Sequence, residues 1–137
     1  LFIIDEVHML SINAFNALLL DFIPGHVELV QELSLKYRVF LLSNTNAIHA
    51  ACYNGRLKEN YGIENLDALM EKAFYSHDLG CRKPDKQIYL KALEQAGVKA
   101  EESLFIDDME VNVEAARECG MKSVLVDSEY TIKEVFE

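Results

Sequence analysis

Two adjacent carboxylates, Asp107 and Asp108, follow directly on the apolar run Leu104-Phe105-Ile106. Three large apolar residues in a row suit a short strand buried on both faces of a parallel sheet. Neighbouring carboxylates at the end of such a strand repel each other and lose hydration. A divalent cation relieves that repulsion, and hard oxygen ligands suit Mg²⁺. A helix is expected from Met109 to Cys119, carrying Val111, Val113, Ala115 and Ala116, with Gly120 placed to end it. The structural alternative is that Asp107 caps this helix and Asp108 favours its dipole. That alternative explains one Asp more readily than two.

Two other stretches carry groups suited to the same chemistry. The apolar run Arg38-Val39-Phe40-Leu41-Leu42 ends in Ser43-Asn44-Thr45-Asn46, ahead of a helical stretch around Ala47 to Lys58. A hydroxyl and free backbone N–H groups at a strand-to-helix turn make an anion site. The same residues also serve as ordinary helix caps. The third stretch is Asp78-Leu79-Gly80-Cys81-Arg82-Lys83-Pro84-Asp85, before a helix from Asp85 to Gln95 that Gly97 closes. Lys83 then stands in a loop just before a helix, where its ammonium can aim at a phosphate or a carboxylate. A solvated surface Lys is the plain alternative.

The elements that must position these groups alternate. Val27, Val30 and Leu33 mark one face of a helix from His26 to Tyr37, with Glu28, Gln31, Glu32 and Lys36 on the other. A short helix is expected around Leu66 to Met70, a weaker strand at Ala73 to Ser76, a last strand at Lys122 to Val126 and a final helix at Ile132 to Phe136. Helix and strand in alternation predict an α/β fold, a parallel Rossmann-like sheet with helices on both faces. In such a sheet Ser43, Lys83 and Asp107–Asp108 collect on one edge. A hydroxyl, a cation and an acidic pair around one crevice form a phosphate and Mg²⁺ site. Ser43 and nearby N–H groups would hold phosphate oxygens, Lys83 would offset charge at the reacting centre, and the carboxylates would hold the metal.

Composition narrows the class further. The chain has 137 residues, half of them hydrophobic, and a net charge of -10. That size suits one domain with a moderate core. The charge argues against nucleic acid and against anionic membranes as partners. Cys52, Cys81 and Cys119 are odd in number, widely spaced and form no Cys-x-x-Cys, so they read as reduced thiols of a cytoplasmic protein. Leu1 to Leu10 holds Asp5 and Glu6 and no Lys or Arg, unlike a signal peptide. The first residue is Leu, which suggests a sequence that begins inside a longer protein.

Three stretches together resemble the haloacid dehalogenase-like hydrolase superfamily, in particular its sugar-phosphate phosphatase-like branch with a small helical cap. They are Phe40 to Asn46, Gly80 to Tyr89 and Phe105 to Ala116, similar to the second, third and fourth motifs of that family and in the same order. The resemblance implies that Ser43, Asn44 and Lys83 bind phosphate, and that Lys83 also meets the nucleophile. It implies Asp108 as the direct Mg²⁺ ligand, with Asp107 acting directly or through water. The substrate it implies is a small phosphorylated metabolite such as a sugar phosphate, attacked through an aspartyl-phosphate.

The first motif of the family, a strand ending in Asp-x-Asp, has no match. The nearest stretch, Leu1 to Val7, offers Asp5 but has Val7 where the second Asp belongs. Residues 1–22 are therefore expected to be the remnant of the cap, and residues 23–137 a core lacking its first strand. The nucleophile would lie upstream of Leu1, and the sheet would have a gap in its middle. A haloacid dehalogenase, which needs no metal, and a non-catalytic phosphate-binding fragment are the alternatives. A phospho-receiver domain uses similar groups, but there the acidic pair precedes the Lys, whereas here Lys83 precedes Asp107.

Overall fold

The computed structural model describes residues 7–11, 26–44, 47–127 and 135. Expectations for Leu1 to Asp5 and for most of the final helix lie outside those residues, as does most of the expected cap remnant, residues 1–22. The elements are β1 (Val7–Ser11), α1 (His26–Lys36), β2 (Val39–Ser43), α2 (Ala47–Tyr61), α3 (Leu66–Leu69), β3 (Lys72–Tyr75), α4 (Ser76–Leu79), α5 (Lys86–Ala96), β4 (Ser103–Asp107), α6 (Glu110–Glu118) and β5 (Lys122–Leu125). A single 3₁₀ turn, Ala100–Glu102, leads into β4.

The strands form one parallel sheet in the order β3-β2-β1-β4-β5. Successive side chains of a strand point to opposite faces, so each strand feeds two cores. Val39, Leu41, Leu104 and Ile106 pack with Val27, Val30 and Leu33 of α1 and Leu57 of α2. Phe40, Leu42 and Phe105 pack on the other face with Ile88, Tyr89 and Ala92 of α5 and Ala115 and Ala116 of α6. This doubly covered parallel sheet is the expected α/β architecture. The predicted strands and helices that fall on described residues agree with the observed ones to within three residues, while β1 and α4 were not predicted. Among the described residues no helix is long and apolar enough to cross a membrane.

The middle of the sheet differs from expectation. It has no gap, because β1 stands between β2 and β4, with Leu10 paired to both Leu41 and Ile106. A vacant place there would leave two rows of backbone N–H and C=O groups without partners. An extended segment that enters it satisfies both rows at once. Val7–Ser11, assigned by resemblance to the cap, takes that place.

Helix ends follow their sequence signals. Asp85 caps α5, its Oδ1 accepting from the Gln87 N–H at 2.9 Å. Gly97 ends it with φ of 69°, a left-handed conformation that suits a residue without Cβ. An added methyl there would meet no neighbour within 4 Å, so only the backbone cost remains. Gly97→Ala is expected to lower stability by about 1–2 kcal/mol, measured by chemical denaturation.

Candidate active site

All the strands run the same way, so the ends of β2, β1 and β4 share one edge of the sheet. The chain order turns at β1, from β2 and β3 on one side to β4 and β5 on the other. Such a switch point is where an open α/β sheet leaves a crevice. Ser43 ends β2 and is fully buried, and Asp107 ends β4 and is fully buried.

Lys83 joins these two strand ends. Its Nζ donates to the Leu42 carbonyl at 3.0 Å and to Asp107 Oδ2 at 3.2 Å. β2 and β4 are two strand spacings apart, roughly 10 Å. An ammonium bonded to both therefore lies over the end of the central strand. It also sits 5.6 Å from the centre of the Phe105 ring, a favourable cation–π distance. An ammonium has three N–H donors, and among the described residues two are engaged. Burial pushes the ammonium below its ordinary pKa, against the pull of the Asp107 charge. The side chain is buried and charge-paired, so the solvated-Lys alternative does not hold.

Asp107 is turned into the protein. Its Oδ1 accepts from the Met109 N–H at 2.8 Å, and its Oδ2 from Lys83 and from Asn112 Nδ2 at 3.0 Å. Burial alone pushes this carboxyl up. The Lys83 charge and the donors on both oxygens outweigh it and hold the group below its usual range. The Met109 contact lies ahead of α6, whose N-cap is Met109 without a side-chain cap bond, so Asp107 turns the chain into the helix but does not cap it as the structural alternative expects. Asp108 is different, being exposed on the same edge. Partial burial, then its hydrogen bond to Asp107 and the repulsion between them, push it up to about 6. A carboxylate with little local compensation suits a cation. Among the described residues no cluster of three or more His, Cys, Asp or Glu surrounds it. Mg²⁺ fits that set, since it keeps several waters and relies on one or two carboxylates.

Asn44, expected to contact phosphate, has its side-chain amide engaged with Lys83. Its Oδ1 accepts from the Lys83 N–H at 2.8 Å and its Nδ2 donates to the Lys83 carbonyl at 3.0 Å. The amide is thus turned towards the motif loop that carries Lys83.

Two residues of this network were not anticipated. Asn112 is buried and holds Asp107, while Tyr89 donates from its hydroxyl to the Asn112 carbonyl at 2.9 Å and packs edge-on against Phe105. Burial pushes the Tyr89 phenol well up, so it stays a donor. The signal for Asn112 was in the helical spacing. Residues three and four apart share a face, which places Asn112 with Ala115 and Ala116 rather than Val111. Val111 is indeed exposed and Asn112 buried.

The chain is similar to known proteins. The chain is 31% identical over 106 residues to the D-ribitol-5-phosphate phosphatase of Bacteroides thetaiotaomicron, covering 76% of this chain and 47% of that one. It is 37% identical over 60 residues to a GMP/IMP nucleotidase of Escherichia coli, covering 44% of this chain and 27% of that one. It therefore spans about half or less of the length of these curated relatives. Among solved structures, a haloacid dehalogenase family enzyme of Bacteroides thetaiotaomicron, in complex with magnesium and inorganic phosphate, superposes with a TM-score of 0.72 at 31% identity, covering 81% of this chain and 56% of that one. The family model of the haloacid dehalogenase-like hydrolases matches residues 4–120, and the chain belongs to that family.

Proposed function

We propose that this chain is the C-terminal part of a Mg²⁺-dependent phosphatase that hydrolyses a small phosphate monoester through an aspartyl-phosphate. The observation that carries this reading is the placement of Lys83. Its ammonium lies over the end of the central strand, tied to Leu42 and Asp107 on either side. A carboxylate at the end of that strand would face it, and so would a phosphoryl group under attack. Ser43 would bind phosphate oxygens, and Lys83 would offset the charge that builds on them. The pair with Asp107 keeps the ammonium charged and aimed. Asp108 would hold the metal directly, and Asp107 through water because its oxygens already carry protein donors. Mg²⁺, when bound, supplies further positive charge to the phosphoryl oxygens.

No described residue serves as nucleophile. The last residue of β1 is Ser11, paired with Leu42, and Asp5 lies outside the described residues. In the longer protein an upstream strand ending in the attacking Asp would occupy the central place, and residues 1–22 would return to a cap over residues 23–137. The solved relative with magnesium and phosphate, and the relatives named for phosphorylated metabolites, support a phosphatase over a dehalogenase. A small phosphorylated metabolite, a sugar phosphate among the candidates, is the proposed substrate, in a cytoplasmic setting that suits the cysteine usage.

Calorimetry with Mg²⁺ tests the metal assignment. Weak binding is expected, lost in Asp108→Ala and weakened in Asp107→Ala; equal affinity in Asp108→Ala would count against it. A proton competes with the metal at Asp108, which takes it up near pH 6. The apparent affinity is therefore expected to be level above that pH and to fall by about tenfold per unit below it. An affinity level down to pH 4 would contradict the role of Asp108.

A further inference from the structure

We infer that Asn44 is a positioning residue that acts through the backbone of Lys83. The inference rests on the reading of Lys83 as the cation of the site. A side-chain amide offers one acceptor and donors on adjacent atoms, and Asn44 matches them to the N–H and C=O of a single residue, at 2.8 and 3.0 Å. Lys83 lies in a loop, outside every strand and helix, so these two backbone groups have no ladder to join. Asn44 follows directly on the last residue of β2, and the amide ties the loop to that strand end.

The tie fixes the base of the Lys83 side chain, while Leu42 and Asp107 fix its tip. A lysine held only at the tip would retain much of its rotamer freedom, and its ammonium would wander over the site. Held at both ends, it presents one geometry to whatever binds over the central strand. The chemistry of residue 44 is demanding. Asp would keep the acceptor for the Lys83 N–H, lose the donor to the Lys83 carbonyl, and add negative charge where an anion is to bind. Ala would release both backbone groups. The Asn44 nitrogen has a second N–H, so direct contact with phosphate is the competing role.

NMR of the 137-residue chain separates the two, with inorganic phosphate as the probe. In Asn44→Ala the Lys83 backbone amide is expected to exchange with solvent about tenfold faster, as befits one lost hydrogen bond. The Lys83 Cε and Nζ resonances should move, and phosphate affinity should fall with them. Asn44→Asp keeps the bond to the Lys83 N–H, so it should retain slow exchange at Lys83; it carries the test if Asn44→Ala does not fold. Unchanged Lys83 exchange and resonances in Asn44→Ala, with or without weaker phosphate binding, would overturn the inference. If the native chain binds no phosphate, the proposed function fails, yet the Lys83 signals still report on Asn44.

Discussion

Lys83→Met is expected to destabilise the fold by about 3–5 kcal/mol near neutral pH, the usual cost of removing one partner of a buried ion pair. Asp107 is fully buried, and its one charged partner among the described residues is Lys83. Without the ammonium, the carboxylate keeps neutral donors such as the Met109 N–H and Asn112 but no positive charge among the described residues. The effect should depend on pH with a definite sign. In the native chain the Asp107 carboxyl lies below its usual range, so its contribution is present above the ordinary pKa of about 4 and is lost as pH falls through the lower folded value. In the variant the same carboxyl rises, and protonation on acidification relieves the strain of an unpaired buried charge. The two stability curves should therefore converge below about pH 4. Urea denaturation at pH 7 and pH 4 checks this. Lys83→Met together with Asp107→Leu should recover much of the loss at pH 7, because an apolar pair leaves no buried charge. A loss that is the same at both pH values would mean that Lys83 contributes by packing alone.

The second large effect concerns rate. With the attacking Asp placed upstream, as proposed, the 137-residue chain on its own is expected to hydrolyse phosphate esters about 10⁶-fold more slowly than a protein extended to include that Asp, the scale of loss seen when a nucleophile is removed from a covalent enzyme. Lys83 and the metal would still offset charge, but they act on a transition state that needs a positioned nucleophile. β1 sharpens the expectation, since its last residue, Ser11, pairs with Leu42 and none of its residues, Val7–Ser11, is a carboxylate. A rate for the chain within a hundredfold of the longer protein would show that an attacking group is already present.

Much of this was legible in the sequence, and the failures have physical causes. β2 and β4 were readable because both faces of each strand are covered, so Val39–Leu42 and Leu104–Ile106 are apolar throughout until the chemistry begins at Ser43 and Asp107. The edge shared by Ser43, Lys83 and the acidic pair followed from parallel topology. The direction of the Asn44 amide was not readable, because a cap, a phosphate ligand and a backbone tie use the same atoms. The burial of Asn112 was readable from helical spacing but was masked by the apolar neighbours Val111 and Val113. The strand at Val7–Ser11 was hidden for a different reason. His8 and Ser11 break the apolar pattern, and what draws that segment into the sheet is the pairing offered by β2 and β4, a property of the partners rather than of its own residues.

The most direct test of the proposed site is hydrolysis of an aryl phosphate, followed side by side for the purified chain and for the protein extended upstream of Leu1. The prediction is no useful turnover by the chain, and Mg²⁺-dependent turnover by the extended protein that is lost in Lys83→Met and in Asp108→Ala. Turnover by the chain alone that requires Mg²⁺ and vanishes in Asp5→Asn would contradict the upstream nucleophile, and turnover by the extended protein that survives Lys83→Met and Asp108→Ala would contradict the site itself.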